Sequence, residues 1–282
     1  MIAVVYSGSR YADWKLAEKG AIISDFKTQG INPFFNDESH ITQLLNKNVQ
    51  LINNAEKIKW VYFFGAGASS KERREIVANA FSAFFRHSRV VVEHDLKAAA
   101  LAACGNEPGI LGILGSGSNA AYFDGKKIRE NNFGLGYVLG DEGSANWLGR
   151  RLLKSYLNAI MPEEFAEKFK KKHDLDRKQI LDKVYRHPHP TLFLSSFSEF
   201  LMDNRNDIFV KRLVADGFDK FFKTYIIPLK QQNPDAPLHL VGTVAAGFQE
   251  NLHQAANNNG LTIASIIKEP MYNLLKYYSN KN

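Results

Sequence analysis

The chain opens on an apolar, β-branched run, Ile2-Ala3-Val4-Val5-Tyr6, which predicts a strand. A glycine-containing turn, Ser7-Gly8-Ser9-Arg10, follows, and Asp13-Trp14-Lys15-Leu16 reads as the returning strand. Over 41–55, Ile41, Leu44, Leu45, Val49, Leu51 and Ile52 recur at roughly helical spacing. Trp60-Val61-Tyr62-Phe63-Phe64 is continuously apolar and ends at Gly65-Ala66-Gly67, the pattern of a buried strand opening into a loop. Residues 71–86 predict a helix with a charged outer face. Val90-Val91-Val92 predicts the next strand, with Asp95 at its end, and 96–104 an alanine-rich helix.

Gly105-Asn106-Glu107-Pro108-Gly109 is a breaker cluster and the predicted domain boundary. The pattern then restarts: strand 110–114, turn Gly115-Ser116-Gly117-Ser118, strand 120–123, and a hairpin signal at Asp124-Gly125. Ser7-Gly8-Ser9 recurs as Ser116-Gly117-Ser118, Ala12 as Ala121, and aromatic Trp14 as aromatic Phe123. The repeated strand–turn–strand context suggests two related halves facing a common cleft. Helices dominate to about Tyr225; strands are expected at 238–241 and within 261–267, and a terminal helix at 269–278. The expected domains are 1–107, joined by the C-terminal helix 269–282, and 108–268.

Length and composition fit this division. A chain of 282 residues exceeds one comfortable core. Its 45% hydrophobic and 23% charged residues are ordinary for a folded soluble chain. No stretch approaches the roughly 18 apolar residues of a membrane span, and the N-terminal apolar run is short and lacks a basic start. Cys104 is the single cysteine, and no Cys/His spacing suggests zinc; a soluble protein of a reducing, cytoplasmic compartment is expected. The net charge is +7, but the densest basic run, Lys168-Phe169-Lys170-Lys171-Lys172-His173, continues a helix begun by Glu163, Glu164 and Glu167. A solvated helix face explains it better than a nucleic-acid patch. His187-Pro188-His189-Pro190 reads as a proline-stiffened loop rather than a metal site.

The chemistry concentrates in the glycine turns. Glycine lets backbone N–H groups approach an anion because no Cβ intervenes, and flanking serines add donors. Two such turns could hold a nucleotide triphosphate. No G-x-x-x-x-G-K-[ST] and no G-x-G-x-x-G in a βα unit occurs, which disfavours P-loop and dinucleotide-binding proteins.

The stretch Gly112–Asn119 and the block Gly134-Leu135-Gly136-Tyr137-Val138-Leu139-Gly140-Asp141-Glu142-Gly143-Ser144 resemble the BadF/BadG-type ATPase and N-acetylglucosamine kinase-like family of the sugar kinase–actin superfamily. Val92–Ala99, Val241–Ala245 and Glu269–Tyr277 add to the likeness, which spans nearly the whole chain. The resemblance implies an α/β fold of two ribonuclease H-like (actin-like ATPase) domains around an interdomain cleft, binding ATP and Mg2+, with transfer of the γ-phosphoryl group to an amino sugar such as N-acetylglucosamine or glucosamine. It implies Asp95 as general base, orienting a sugar hydroxyl and accepting its proton; the alternative is a helix cap. Asn32, Asn119, Gly136, Tyr137 and Asp141 are the implied sugar-binding residues. Asn119 could instead bond its own turn, and Asp141 could serve the helix dipole. Ser7, Gly8, Ser9, Arg10, Gly115, Ser116, Gly117 and Ser118 are the implied phosphate turns. Gly242, Thr243, Val244 and Ala245 are the implied adenosine turn, or simply a loop after a strand.

One departure stands out. The family carries an aspartate directly before the first turn and Thr-Lys-Thr after it; here Tyr6 and Arg10-Tyr11-Ala12 stand there. A neutral phenol is a poor organiser of magnesium. The readings are a kinase, weakened or with rearranged magnesium binding, or a nucleotide- or sugar-binding regulatory protein on the same fold. An activator-type ATPase with an iron–sulfur cluster is disfavoured by the single cysteine. The expected partner is a small sugar, with neither nucleic acid nor membrane, and the family allows a homodimer.

Overall fold

The computed structural model describes residues 1–8, 11–129 and 131–279. The chain divides into two compact units. One comprises Met1–Glu107, Phe123–Ile128 and the C-terminal segment from Glu269; the other comprises Pro108–Tyr122 and Arg129–Lys268.

The first unit is built on strands β1 (Ile2–Ser7), β2 (Tyr11–Glu18), β3 (Ala21–Gln29), β4 (Trp60–Gly65) and β5 (Arg89–His94), in the order β3-β2-β1-β4-β5. The first three strands form an antiparallel meander, and β4 and β5 run parallel to β1. Parallel pairing in register sets Ser7 beside Gly65 and Gly65 beside His94. Three strand carboxyl ends therefore finish at one level, the place where open α/β sheets present binding groups. Alternation sends Ala3, Val5, Trp14, Leu16 and Phe63 to one face, against helices Glu38–Asn46 and Lys71–Phe84. Trp14 is fully buried and stacks on Phe26 and Phe81, with centroids 5.9 and 5.7 Å away. On the other face lie helices Asp95–Ala103 and Met271–Ser279. They are joined by the Asn273 Nδ2 donation to Ala102 O (2.8 Å), and Tyr278 stacks on Tyr62 of β4 at 3.8 Å.

Two expectations change here. The sequence pattern showed no strand at 21–29, yet β3 closes the meander. It is an edge strand with most side chains exposed, so little apolar alternation marks it. Thr28 Oγ1 accepts from Trp14 Nε1 at 2.9 Å, which pins its register. The helical pattern over 41–55 is two helices, Glu38–Asn46 and Val49–Asn54, because the Asn48 side chain accepts from Leu51 N (3.0 Å) and starts a new helix.

The second unit carries β6 (Pro108–Leu114), β7 (Ser118–Asp124), β8 (Leu238–Val241) and β9 (Ile263–Ile267) in the order β7-β6-β8-β9. β8 runs parallel to β6, and β9 parallel to β8. This repeats the β2-β1-β4-β5 arrangement of the first sheet. Among the described residues the second sheet has no counterpart of β3. Helices between Gly136 and Gln232 fill the interval before β8, around a phenylalanine-rich core that includes Phe165, Phe169, Phe197, Phe218, Phe221 and Phe222. Among the described residues no helix is long and apolar enough to cross a membrane.

Candidate active site

The end of β6 turns sharply through Gly115, Ser116 and Gly117 into β7. The turn is tied from behind. Its carbonyls at Gly115 and Ser116 accept from the backbone N–H groups of Ala145 (2.9 Å) and Asn146 (3.1 Å), the first residues of helix Ala145–Leu157. The Gly115 N–H closes onto Gly117 O at 3.0 Å, and the Ser118 N–H donates to Asp141 Oδ1 at 3.0 Å. Neither the Ser116 nor the Gly117 N–H has a hydrogen-bond partner among the described residues. Two successive free donors on a turn whose carbonyls are engaged form an anion-ready cradle. A Cβ on Gly115 would meet no atom within 4 Å, so the space above it is open.

The G-D-E-G-S block packs directly onto this turn. Asp141 adopts φ +59°, rare for a residue with a side chain, and is 8% exposed. Its Oδ2 accepts from Asn146 Nδ2 at 2.7 Å, and the same Nδ2 donates to Ser116 O at 2.7 Å. A Cβ on Gly117 would lie 3.0 Å from Asp141 Oδ1, so this glycine admits the carboxylate. Burial pushes the Asp141 carboxyl above its ordinary range, against the lowering effect of the Ser118 N–H and the Asn146 amide. Glu142 accepts from the Tyr225 hydroxyl. Ser144 caps the helix by accepting from Trp147 N at 3.3 Å.

Asn119 follows Ser118. Its Oδ1 accepts from Ala120 N (2.8 Å), and Gly134, at φ +77°, leaves room for its Nδ2. Gly136 opens the short helix Gly136–Leu139 and is exposed; the half-buried Tyr137 offers its carbonyl to Arg150 Nη1 at 2.6 Å. Gly242, at the end of β8, has φ +133°, and a Cβ there would sit 2.2 Å from Leu114 O. Only glycine lets the β8 end approach the β6 end this closely. Beyond it Thr243 is exposed, while Val244 and Ala245 are core residues. Any ligand at this turn would therefore meet Thr243 and backbone rather than the Val244 or Ala245 side chains.

In the first unit, Ser7 ends β1 fully buried, and its hydroxyl donates to Ile31 O (2.9 Å) and accepts from Ile31 N (2.7 Å). That hydroxyl braces the chain rather than standing ready for a phosphate. The Gly8 N–H is likewise used, on Tyr11 O at 3.0 Å. Ser9 and Arg10, expected in the same turn, lie outside the described residues. Asn32 follows Ile31. Its Oδ1 accepts from Phe34 N (2.9 Å), and Gly67, at φ +82°, makes way for the side chain, since a Cβ there would fall 2.1 Å from Asn32 Oδ1. Asp95 opens helix Asp95–Ala103, and its Oδ1 accepts from its neighbour's N–H, Leu96 N, at 2.9 Å. Tyr6 is near enough to feel its charge: burial first, and then Asp95, push the Tyr6 phenol well above its ordinary value. Tyr6 is a neutral hydroxyl at any physiological pH. His94 precedes Asp95; burial, with the charges of Arg74 and Lys97, pushes it down to about 4.

The sequence reading missed three participants. Asn146 bridges the turn to Asp141, Tyr225 holds Glu142 from 83 residues away, and the Ser195 hydroxyl reaches Ser116 O at 3.5 Å. Tyr225 lies in a π-helical turn, Phe222–Ile226. Nothing local in the sequence marks Tyr225 or Ser195.

No family model matches the sequence, and no curated protein does. Solved structures do. A putative N-acetylglucosamine kinase from Porphyromonas gingivalis is 38% identical over 99% of this chain and 99% of its own, with a TM-score of 0.94. A putative N-acetylglucosamine kinase from Chromobacterium violaceum shares the fold at TM-score 0.68 and 16% identity, covering 98% of this chain and 99% of its own. A glucokinase of the ROK family from Streptomyces griseus, solved with glucose and AMPPNP, matches at TM-score 0.57 and 16% identity, over 98% and 97%. At 38% identity over essentially its full length, the chain belongs to the N-acetylglucosamine kinase-like family.

Proposed function

We propose that this protein is an ATP-dependent kinase that transfers the γ-phosphoryl group to a hydroxyl of an amino sugar. One observation carries the reading: a glycine turn whose Ser116 and Gly117 N–H donors have no partner among the described residues packs against a buried carboxylate, Asp141. The turn suits phosphate oxygens. Asp141 suits acceptor hydroxyls, since a carboxylate takes two hydroxyl donations side by side. The N-acetylglucosamine kinase names of related proteins point to the same substrate class.

The proposed roles divide accordingly. Ser116 and Gly117 N–H groups hold phosphate oxygens, and Thr243 with the Gly242 backbone lies against the nucleoside. Asn119, Asp141 and Asn32 orient the sugar, and Asp95 takes the proton of the attacking hydroxyl. Magnesium bound to the nucleotide would neutralise charge developing on the phosphates. Among the described residues no three His, Cys, Asp or Glu side chains gather to hold a metal. In this reading the phosphates and water supply most of the magnesium ligands, as is common for that ion.

The test is release of ADP across a panel of sugars including N-acetylglucosamine and glucosamine. The wild-type protein should release ADP only with an acceptor present. Asp95→Asn should cut the rate by about 100-fold or more, the range for loss of a general base. No acceptor-dependent ADP across the panel would refute the assignment. A second reading, a regulatory binder of the same ligands, draws on Tyr6, a neutral phenol that stands where the family carries an aspartate. Ligand-induced thermal stabilisation without turnover would favour it.

A further inference from the structure

The hydrogen bonds around Asp141 form a closed ring. Starting at Ser116, the chain passes through Gly117 to Ser118, whose N–H donates to Asp141 Oδ1 at 3.0 Å. Asp141 Oδ2 accepts from Asn146 Nδ2 at 2.7 Å, and the same nitrogen returns to Ser116 O at 2.7 Å. Both neighbours of that amide are acceptors, so its nitrogen, not its oxygen, faces them. Asn146 is 2% exposed, and its Oδ1 is buried without a partner among the described residues. The side chain thus leaves one polar atom unsatisfied while placing the other on two acceptors at once. Such an atom is costly to bury, which argues that the double donation matters.

The ring has two free sides. The Ser116 and Gly117 N–H groups have no partner among the described residues, and the Asp141 carboxylate is fixed by the Ser118 N–H and the Asn146 amide on a residue at φ +59°. A ligand drawn to the two N–H groups pulls on the peptide planes that carry Gly115 O and Ser116 O. Ser116 O accepts the Asn146 amide, and the same nitrogen holds Asp141. We propose that Asn146 is a positioning residue that couples the phosphate turn to Asp141, so that nucleotide at the turn strengthens acceptor binding at the carboxylate. This rests on the kinase reading for the identity of the two ligands. The coupling itself is a property of the ring and lies within one unit. Asn146 touches neither ligand; it acts through Asp141 and Ser116.

The experiment is calorimetric titration of the full chain with N-acetylglucosamine, without and with saturating AMPPNP–Mg2+. Wild-type protein should bind the sugar at least about 5-fold tighter when the nucleotide analogue is present, the lower end of ordinary coupling between sites. Asn146→Asp keeps the shape but removes both donations and sets a second carboxylate against Asp141. Asn146→Ala removes the amide outright. In both, the enhancement should fall below about 2-fold. AMPPNP affinity measured alone should change by less than about 3-fold, because the backbone ties of Gly115 and Ser116 to the helix remain. Asp176→Ala, which breaks a remote capping box on helix Arg177–Tyr185, controls for general destabilisation and should retain full enhancement. A second measurement needs no variant: AMPPNP–Mg2+ alone should slow amide hydrogen exchange at Ser118 in the wild-type protein.

Well-folded Asn146 variants with wild-type enhancement would overturn the proposal and leave the kinase reading intact. So would unchanged exchange at Ser118 in protein that binds AMPPNP. No binding of either ligand, by calorimetry at two temperatures, would remove the kinase reading, and the coupling with it.

Discussion

Two glycines near neighbouring strand ends of the second unit make opposite predictions. At Gly242 a Cβ would fall 2.2 Å from Leu114 O and 2.6 Å from Leu114 C, both backbone atoms that cannot swing aside, and φ is +133°. The backbone region is essentially glycine-only and costs about 1–3 kcal/mol for another residue. Forcing the two strand ends apart adds about 1–3 kcal/mol. Gly242→Ala should therefore destabilise by about 2–6 kcal/mol, a fall in Tm of at least about 4 °C. Gly115 has no atom within 4 Å of its Cβ position and no positive φ. Gly115→Ala should leave Tm within about 2 °C of wild type. Its new methyl group, however, would stand in the open space over the turn where phosphate is proposed to sit. The KM for ATP should rise about tenfold or more, a loss of about 1.4 kcal/mol. Thermal melts of both variants and ATP saturation curves at fixed sugar decide the matter. A Gly242→Ala protein melting within 1 °C of wild type would refute the packing argument. A Gly115→Ala protein with unchanged ATP KM would refute phosphate binding at the turn.

Two further outcomes are expected. Tyr6→Asp places a carboxylate within the influence of Asp95, and paired carboxylates raise one another. The acid limb of the kcat/KM–pH profile should move to higher pH, and an unmoved limb would remove Asp95 from the role of base. His94, pushed down to about 4 by burial and by Arg74 and Lys97, binds its proton more weakly folded than unfolded, where about 6.5 is ordinary. Its contribution to stability is full above pH 6.5 and is lost as pH falls towards 4, by up to about 3 kcal/mol. Urea unfolding between pH 7 and 4 should show this loss in wild type and a shallower decline in His94→Gln; equal slopes would contradict it.

The strands of both sheets apart from β3 were legible because apolar runs, such as 2–5, 60–64, 90–92, 110–114 and 238–241, carry a strong local signal, and a glycine turn marks the return into β2. The repeat of Ser7-Gly8-Ser9 at Ser116-Gly117-Ser118 suggested two related halves; the strand orders β2-β1-β4-β5 and β7-β6-β8-β9 came only with the structure. The repeat did not foretell how differently the two turns are used. At the first, the Ser7 hydroxyl is spent on Ile31, 24 residues away. At the second, Ser118 presents its backbone to Asp141. β3 escaped notice because an edge strand with exposed side chains needs no apolar alternation.

The sequence by itself determined most of the strands and helices, β3 and the break at Asn48 excepted, and that a serine–glycine segment follows the first strand of each half. Both follow from local preferences: apolar period, breaker residues and the freedom of glycine. Only the tertiary structure decided that Asn146 bridges Ser116 to Asp141, that Tyr225 holds Glu142, and that Gly242 must be glycine because Leu114 O lies against it. Those facts depend on hydrogen bonds and close approaches between residues distant in the chain, which no local pattern encodes.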